Sequence, residues 1–91
     1  MAAKSFLLKI VTPQQLFYSG EVEMVVVEQA SGQEGYMAGH SPALKRLEKG
    51  EVQIREAAGK EPRIVQNPGG HLHVGKTMAV YTRYTGWKAW D

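Results

Sequence analysis

The chain has 91 residues, 43% of them hydrophobic, which is enough for one small domain with a single core. Eleven Lys and Arg against nine Asp and Glu leave a net charge of +2, with no basic run of the kind that grips nucleic acid. The lack of cysteine excludes disulfides and thiolate metal sites and suits a soluble protein of a reducing compartment, and apolar runs such as "MVVV" at 24–27 are far too short to span a bilayer.

The opening "MAAKSFLLKIV" carries one lysine and a brief apolar patch that then alternates, so it predicts a first strand rather than a signal peptide. Phe6, Leu8 and Ile10 share one face, and Thr12-Pro13 ends the run because proline cannot donate to a ladder. "LFYSGEVEMVVVEQ" predicts a second and third strand around Gly20, with Val22, Met24 and Val26 on one side. "SPALKRLEKG" at 41–50 has a helical look, limited to two turns by Gly50. "GEVQIRE" at 50–56 is the cleanest alternation, with Val52 and Ile54 inward and Glu51, Gln53 and Arg55 outward. "RIVQN", "HLHV" and "MAVYTRY" are further strands, broken at Gly59, at Pro68-Gly69-Gly70 and at Gly75. Trp87 and Trp90, three apart near the end, read as an apolar lid, with a partner contact as the functional alternative. About seven to ten short strands at this spacing predict an all-β fold, a flattened antiparallel β-sandwich or barrel.

Residues Gly70–Thr77 match the phosphate-loop expression G-x-x-x-x-G-K-[ST]. Phosphate-loop chemistry needs backbone N–H groups wrapped around a phosphate between a strand and a helix. Here the variable positions, His71, Leu72, His73 and Val74, alternate like a strand, and the β-branched and aromatic "MAVYTRYTGW" that follows carries no helix-start signal. The sequence therefore predicts a hairpin turn at Gly75-Lys76-Thr77, with no bound nucleotide or other cofactor. His71 and His73 project from one face of such a strand and could chelate a metal ion, with His40 as a third ligand, which gives an alternative reading as a small metal- or ligand-binding module. Ser41 beside His40 is not half of a hydrolase pair, because adjacent residues on an extended chain point apart, and Ser41-Pro42 reads as a turn. No catalytic residue is assigned.

The most specific pattern is "SGEVEMVVV" at 19–27 followed by "SGQEGYMAGHSPAL" at 31–44, with Gly39-His40-Ser41-Pro42 inside it. Together with "LLKIVTPQQLFYSGEVE", "LEKGEVQI" and "PGGHLHV", it resembles the N-terminal β-sandwich domain of the epsilon subunit of the F-type ATP synthase, over about residues 5–84. The resemblance implies a ten-stranded sandwich over residues 1–86 with a short tail at 87–91. It further implies a non-catalytic rotor part of the central stalk that binds the gamma subunit and the membrane c-ring, peripheral to the cytoplasmic side of a bacterial plasma membrane, and monomeric when isolated. Carried over by position, the loop facing the c-ring falls at Ser31, Gly32, Gln33 and Glu34, with His40 near the rotor contacts. Thr12, Lys45 and again His40 match positions facing gamma.

Departures from the family pattern are local. The family's loop usually has Glu where Gln33 stands and an apolar residue at Glu34, so the negative charge has moved one place. On an extended chain that shift turns the carboxylate to the other side. Ala38 replaces a customary proline, and His71 and His73 stand where the family has an aromatic or aliphatic residue and an acidic one. The family's C-terminal pair of helices has no counterpart in "TGWKAWD".

Overall fold

Two-residue alternation decides which side chains each strand buries. The computed structural model, which describes residues 4–57, 60–83 and 85–87, has ten strands. They are β1 (Phe6–Val11), β2 (Leu16–Val22), β3 (Met24–Gln29), β4 (Gly32–Met37), β5 (Ala43–Leu47), β6 (Gly50–Arg55), β7 (Arg63–Asn67), β8 (Gly70–Val74), β9 (Thr77–Thr82) and β10 (Gly86–Trp87). Two five-stranded sheets result, ordered β2-β1-β9-β8-β5 and β10-β7-β6-β3-β4. The expected sandwich is therefore present, and among the described residues there is no helix.

The core lies between the sheets. Leu8, Ile10, Val22, Leu72, Val74, Met78 and Val80 face inward from the first sheet, and Val25, Val27, Tyr36, Val52, Ile54 and Val65 from the second. Burying each aliphatic side chain of this size contributes about 1.5–3 kcal/mol. Phe6, Leu8, Ile10, Val52 and Ile54 all point inward, as their alternation predicts.

Three expectations need correction. The helical look of 41–50 is wrong: Ala43–Leu47 is a strand paired along its length with β8, and Gly50 opens β6 rather than closing a helix. Partnership with β8 overrides local propensity, and the alternation of half-buried Ala43 and Lys45 and buried Leu47 with exposed Leu44 and Arg46 is that of a strand. The face assigned to Val22, Met24 and Val26 also fails beyond Val22. The chain passes from one sheet to the other at Glu23, so the alternation restarts and Val25 and Val27, not Met24 and Val26, enter the core. Finally, the sandwich is not wholly antiparallel, since β1 runs parallel to β9.

Strand directions sort the connections into two ends. One end, termed upper, collects the β1–β2 turn at 12–15, the β3–β4 tip at 30–31, the β5–β6 corner at 48–49, the β7–β8 turn at 68–69 and the exit of β9 at Arg83. The lower end collects Glu23, the segment 38–42, the exit of β6 at Glu56 and the β8–β9 turn at 75–76. Trp87 ties the sheets together along one edge. It pairs with Val65, its ring packs 5.0 Å from that of Phe17 on β2, and the Arg63 guanidinium lies 3.9 Å over it. Trp90 lies outside the described residues, as does Gly59.

Candidate interaction surfaces

The β3–β4 hairpin forms because two β-branched and polar stretches flank a tight turn at Ala30-Ser31, with Gly32 at φ +115°, a conformation L side chains rarely adopt. Ser31, Gln33 and Glu34 are exposed there on an edge strand. Gln33 pairs with Glu28 on the outer face, whereas Glu34 pairs with Val27, whose side chain is buried. Adjacent strand residues thus aim their side chains to opposite sides, and the one-place shift of charge turns the carboxylate toward the core edge.

On that side it meets Tyr36. The ring is fully buried, its hydroxyl accepts a 2.6 Å bond from Gln29 Nε2, and its flank packs edge-on against the His40 imidazole at 4.8 Å. Burial raises the phenol above its usual pKa, the bond from Gln29 opposes this, and the nearby Glu34 carboxylate adds to the rise. Tyr36 therefore adjoins both Glu34 and His40, and sequence reading missed it. A lone tyrosine in the Gly-rich "GQEGYMAG" gives no sign of which way it points.

The remaining residues are separated. His40 is exposed in the lower segment, its backbone N–H donating to the Met37 carbonyl and its Nδ1 2.9 Å from the Ser41 carbonyl. Met37, to whose carbonyl it is bonded, lies about 17 Å along β4 from the Gly32 tip at roughly 3.3 Å per residue. Lys45 is half-buried on the side of β5 opposite Leu44 and Arg46, paired with Leu72. Thr12 is buried at 8% exposure, its backbone and hydroxyl closing the β1–β2 turn through bonds to Gln15 of 2.9–3.3 Å. Three strand spacings, about 14 Å, separate β1 from β5.

Gly70–Thr77 is a β-hairpin with its turn at Gly75-Lys76, so its expression match carries no phosphate loop. His71 and His73 share the exposed outer face of β8, with Leu72 and Val74 buried behind them. His71 stands between Arg46 and Tyr81, and His73 between Leu44 and Ala79, so neither has a carboxylate or third imidazole beside it. His40 lies on the second sheet's edge loop, and no group of three or more metal-binding side chains occurs among the described residues. The geometry does not support the metal-module reading.

Comparison with known proteins gives a consistent picture. The chain matches the family described as ATP synthase, Delta/Epsilon chain, beta-sandwich domain, over residues 5–79. It is 39% identical over 77 residues to the ATP synthase epsilon chain of Chlorobium limicola, covering 85% of this chain and 86% of that one. Some other epsilon-chain relatives are longer, and this chain spans 46% and 51% of two of them. Among solved structures it is similar to a chain of the Euglena gracilis mitochondrial ATP synthase, with a TM-score of 0.83 and 17% identity over 96% of this chain and 56% of that one. It is also similar to a chain of the central stalk and c-ring of the Tetrahymena thermophila enzyme, with a TM-score of 0.75 and 13% identity over 94% and 69%. At these identities the two structural matches are likenesses of fold.

Proposed function

The chain belongs to the family of ATP synthase delta/epsilon-chain β-sandwich domains, and from that premise we propose that it is a central-stalk subunit linking the gamma subunit to the membrane c-ring. The observation that carries the reading is the family match across 75 consecutive residues, 5–79, which covers strands from both sheets. Catalysis then belongs to other subunits, and this one holds the stalk to the ring. A peripheral position on the cytoplasmic face of a bacterial plasma membrane follows from that assembly. The coupling ion is a proton or sodium; one relative carries the name "sodium ion specific".

Contacts divide by position. In our reading Ser31, Gly32, Gln33 and Glu34 meet the ring from the exposed upper tip, an extended hairpin edge with unpaired backbone groups and a carboxylate. His40 and Lys45 contribute to the gamma contact. The distance along β4 favours assigning His40 to gamma rather than to both partners. Thr12, at the upper end but on the sheet opposite the hairpin tip, belongs to the gamma side through the turn it shapes, since its own polar atoms are occupied.

Co-expression with the gamma subunit encoded in the same genome tests the reading directly. We expect a stable complex on size-exclusion chromatography, and an isolated chain that runs as a monomer. Single cysteines at Ser31 and His40 then test the division: Ser31→Cys should cross-link to the c-ring and His40→Cys to gamma. Failure to bind gamma would sink the rotor assignment, and exchanged cross-links would sink the division alone.

A further inference from the structure

The upper end carries a second feature that the stalk reading does not use. A groove of about 890 Å³ opens between the β5–β6 corner, the β7–β8 turn and the end of β9. Arg46, Lys49, His71 and Arg83 line it, four ionisable bases from three separate stretches of chain, against one carboxylate, Glu48. The guanidinium-bearing Arg46 and Arg83 and the ammonium-bearing Lys49 are all exposed, and none of them has an ion-pair partner among the described residues. Three of the chain's 11 Lys and Arg residues thus meet at one opening, where their positive potentials add. Tyr81, 48% exposed, adds an aromatic wall.

The floor is rigid. Asn67 is buried, and its Oδ1 accepts from the Gly69 N–H at 3.2 Å. The Thr82 hydroxyl lies 2.9 Å from both Asn67 Oδ1 and the Gly69 carbonyl, which share its single proton. These bonds hold the glycine turn against β9, so β8, which carries His71, and the end of β9, which Arg83 follows, are fixed relative to each other before any ligand arrives. Fixed backbone positions keep the bases of these side chains around one opening, and guanidinium groups match phosphate oxygens in a planar, two-pronged geometry.

From this we infer that the upper groove is a binding site for phosphate groups, with Arg46 and Arg83 as principal contacts, Lys49 as a supporting charge and the His71 imidazole as a hydrogen-bond donor. The site does not use the lysine of the phosphate-loop expression, since Lys76 lies at the lower end. The inference stands on the groove and not on the rotor assignment. The phosphate could come from a soluble polyphosphate or from a phospholipid headgroup, and the same side chains would serve either.

The test uses the full chain, isotopically labelled, titrated with tripolyphosphate at constant ionic strength. In parallel, flotation compares vesicles of phosphatidylcholine with vesicles that also contain phosphatidic acid. We expect saturable binding in at least one arm, with amide shifts in the tripolyphosphate titration centred on Arg46, His71 and Arg83; the responding arm identifies the source. Losing one charge-assisted contact should weaken binding about tenfold in Arg46→Gln and in Arg83→Gln. Glu48→Gln should tighten it, and Lys76→Gln should leave it unchanged. Absence of saturable binding in both arms would overturn the inference, as would a Lys76→Gln loss equal to that of Arg46→Gln, which would mark mere attraction to a basic protein.

Discussion

Gly70 is the position where one methyl group should do most damage. Its φ is +151°, and a Cβ placed there would overlap the Tyr81 carbonyl oxygen and lie 3.1 Å from the Tyr81 carbonyl carbon and 3.2 Å from Thr82 Cα. All three are backbone atoms of the neighbouring β9, so no rotamer change relieves the contact. Strain from the left-handed backbone costs about 1–3 kcal/mol. Forcing extra volume into a packed site costs about 1–3 kcal/mol more. Gly70→Ala should therefore lose roughly 2–6 kcal/mol from a domain whose total stability is about 5–14 kcal/mol at its length. Even the lower figure lowers Tm by about 8–16 °C for a domain of this size. Gly75 is the matched control, since its added Cβ meets only the Thr77 carbonyl oxygen at an ordinary 3.5 Å, with no left-handed φ. Gly75→Ala should range from no change to a gain of about 1 kcal/mol. Guanidinium unfolding of the three proteins, compared at equal m, decides the matter. A Gly70→Ala loss below about 1 kcal/mol would refute the close approach of β8 and β9 on which the argument depends.

Other expectations follow from local geometry. The Tyr18 hydroxyl donates 2.8 Å to Glu56 Oε2, and burial first, then this carboxylate, push its pKa to about 12. Its folded pKa exceeds its unfolded value of about 10, so its stabilising contribution is complete below about pH 10 and is lost as pH rises toward about 12. Unfolding midpoints should fall more steeply over that range in the parent than in Tyr18→Phe, and equal slopes would contradict the assignment. Thr12→Ala removes the hydroxyl that closes the β1–β2 turn and should cost about 1 kcal/mol in the isolated chain, where no partner is present to be lost. Arg63→Ala removes the cation over Trp87 and should cost about 0.5–1 kcal/mol while shifting the tryptophan emission; an unchanged spectrum would count against the stacked geometry. Exchanging the loop charge in a Gln33→Glu, Glu34→Gln double variant should lower the Tyr36 pKa and alter ring affinity, whereas Glu34→Gln alone should change only what the carboxylate at 34 supplies.

Most of the strand content was legible because each strand buries one face, and a period of two then appears in the letters. "GEVQIRE" and "HLHV" are plain cases: Val52, Ile54, Leu72 and Val74 are buried, as their spacing requires. "ALKRL" was not legible, since its apolar residues, Ala43, Leu44 and Leu47, sit at spacings that a helix also accepts, and only the partner β8 selects the strand. The sheet change at Glu23 was hidden for another reason: a single residue resets the pleat while the hydrophobic run continues through Val27. Among the proposed contacts, the hairpin tip could be located from "QASGQEG", but the depth of Thr12 could not. A threonine before proline looks the same whether its hydroxyl reaches a partner or turns back to Gln15.

The phosphate-loop expression shows how much such patterns depend on local shape. Its chemistry supposes that the first glycine and the lysine fold around a single phosphate, which a strand-to-helix turn achieves within one loop. Here the same letters form β8 and its turn, so Gly70 and Lys76 sit at opposite ends of a strand, about 17 Å or more apart at its rise. No single phosphate can touch both. Yet Gly70 still borders the groove at the upper end, because the glycines that let β8 approach β9 also bring Arg46, His71 and Arg83 around one opening. Any anion chemistry in this region therefore depends on arginines contributed by β5 and the end of β9, residues that no expression confined to 70–77 could include.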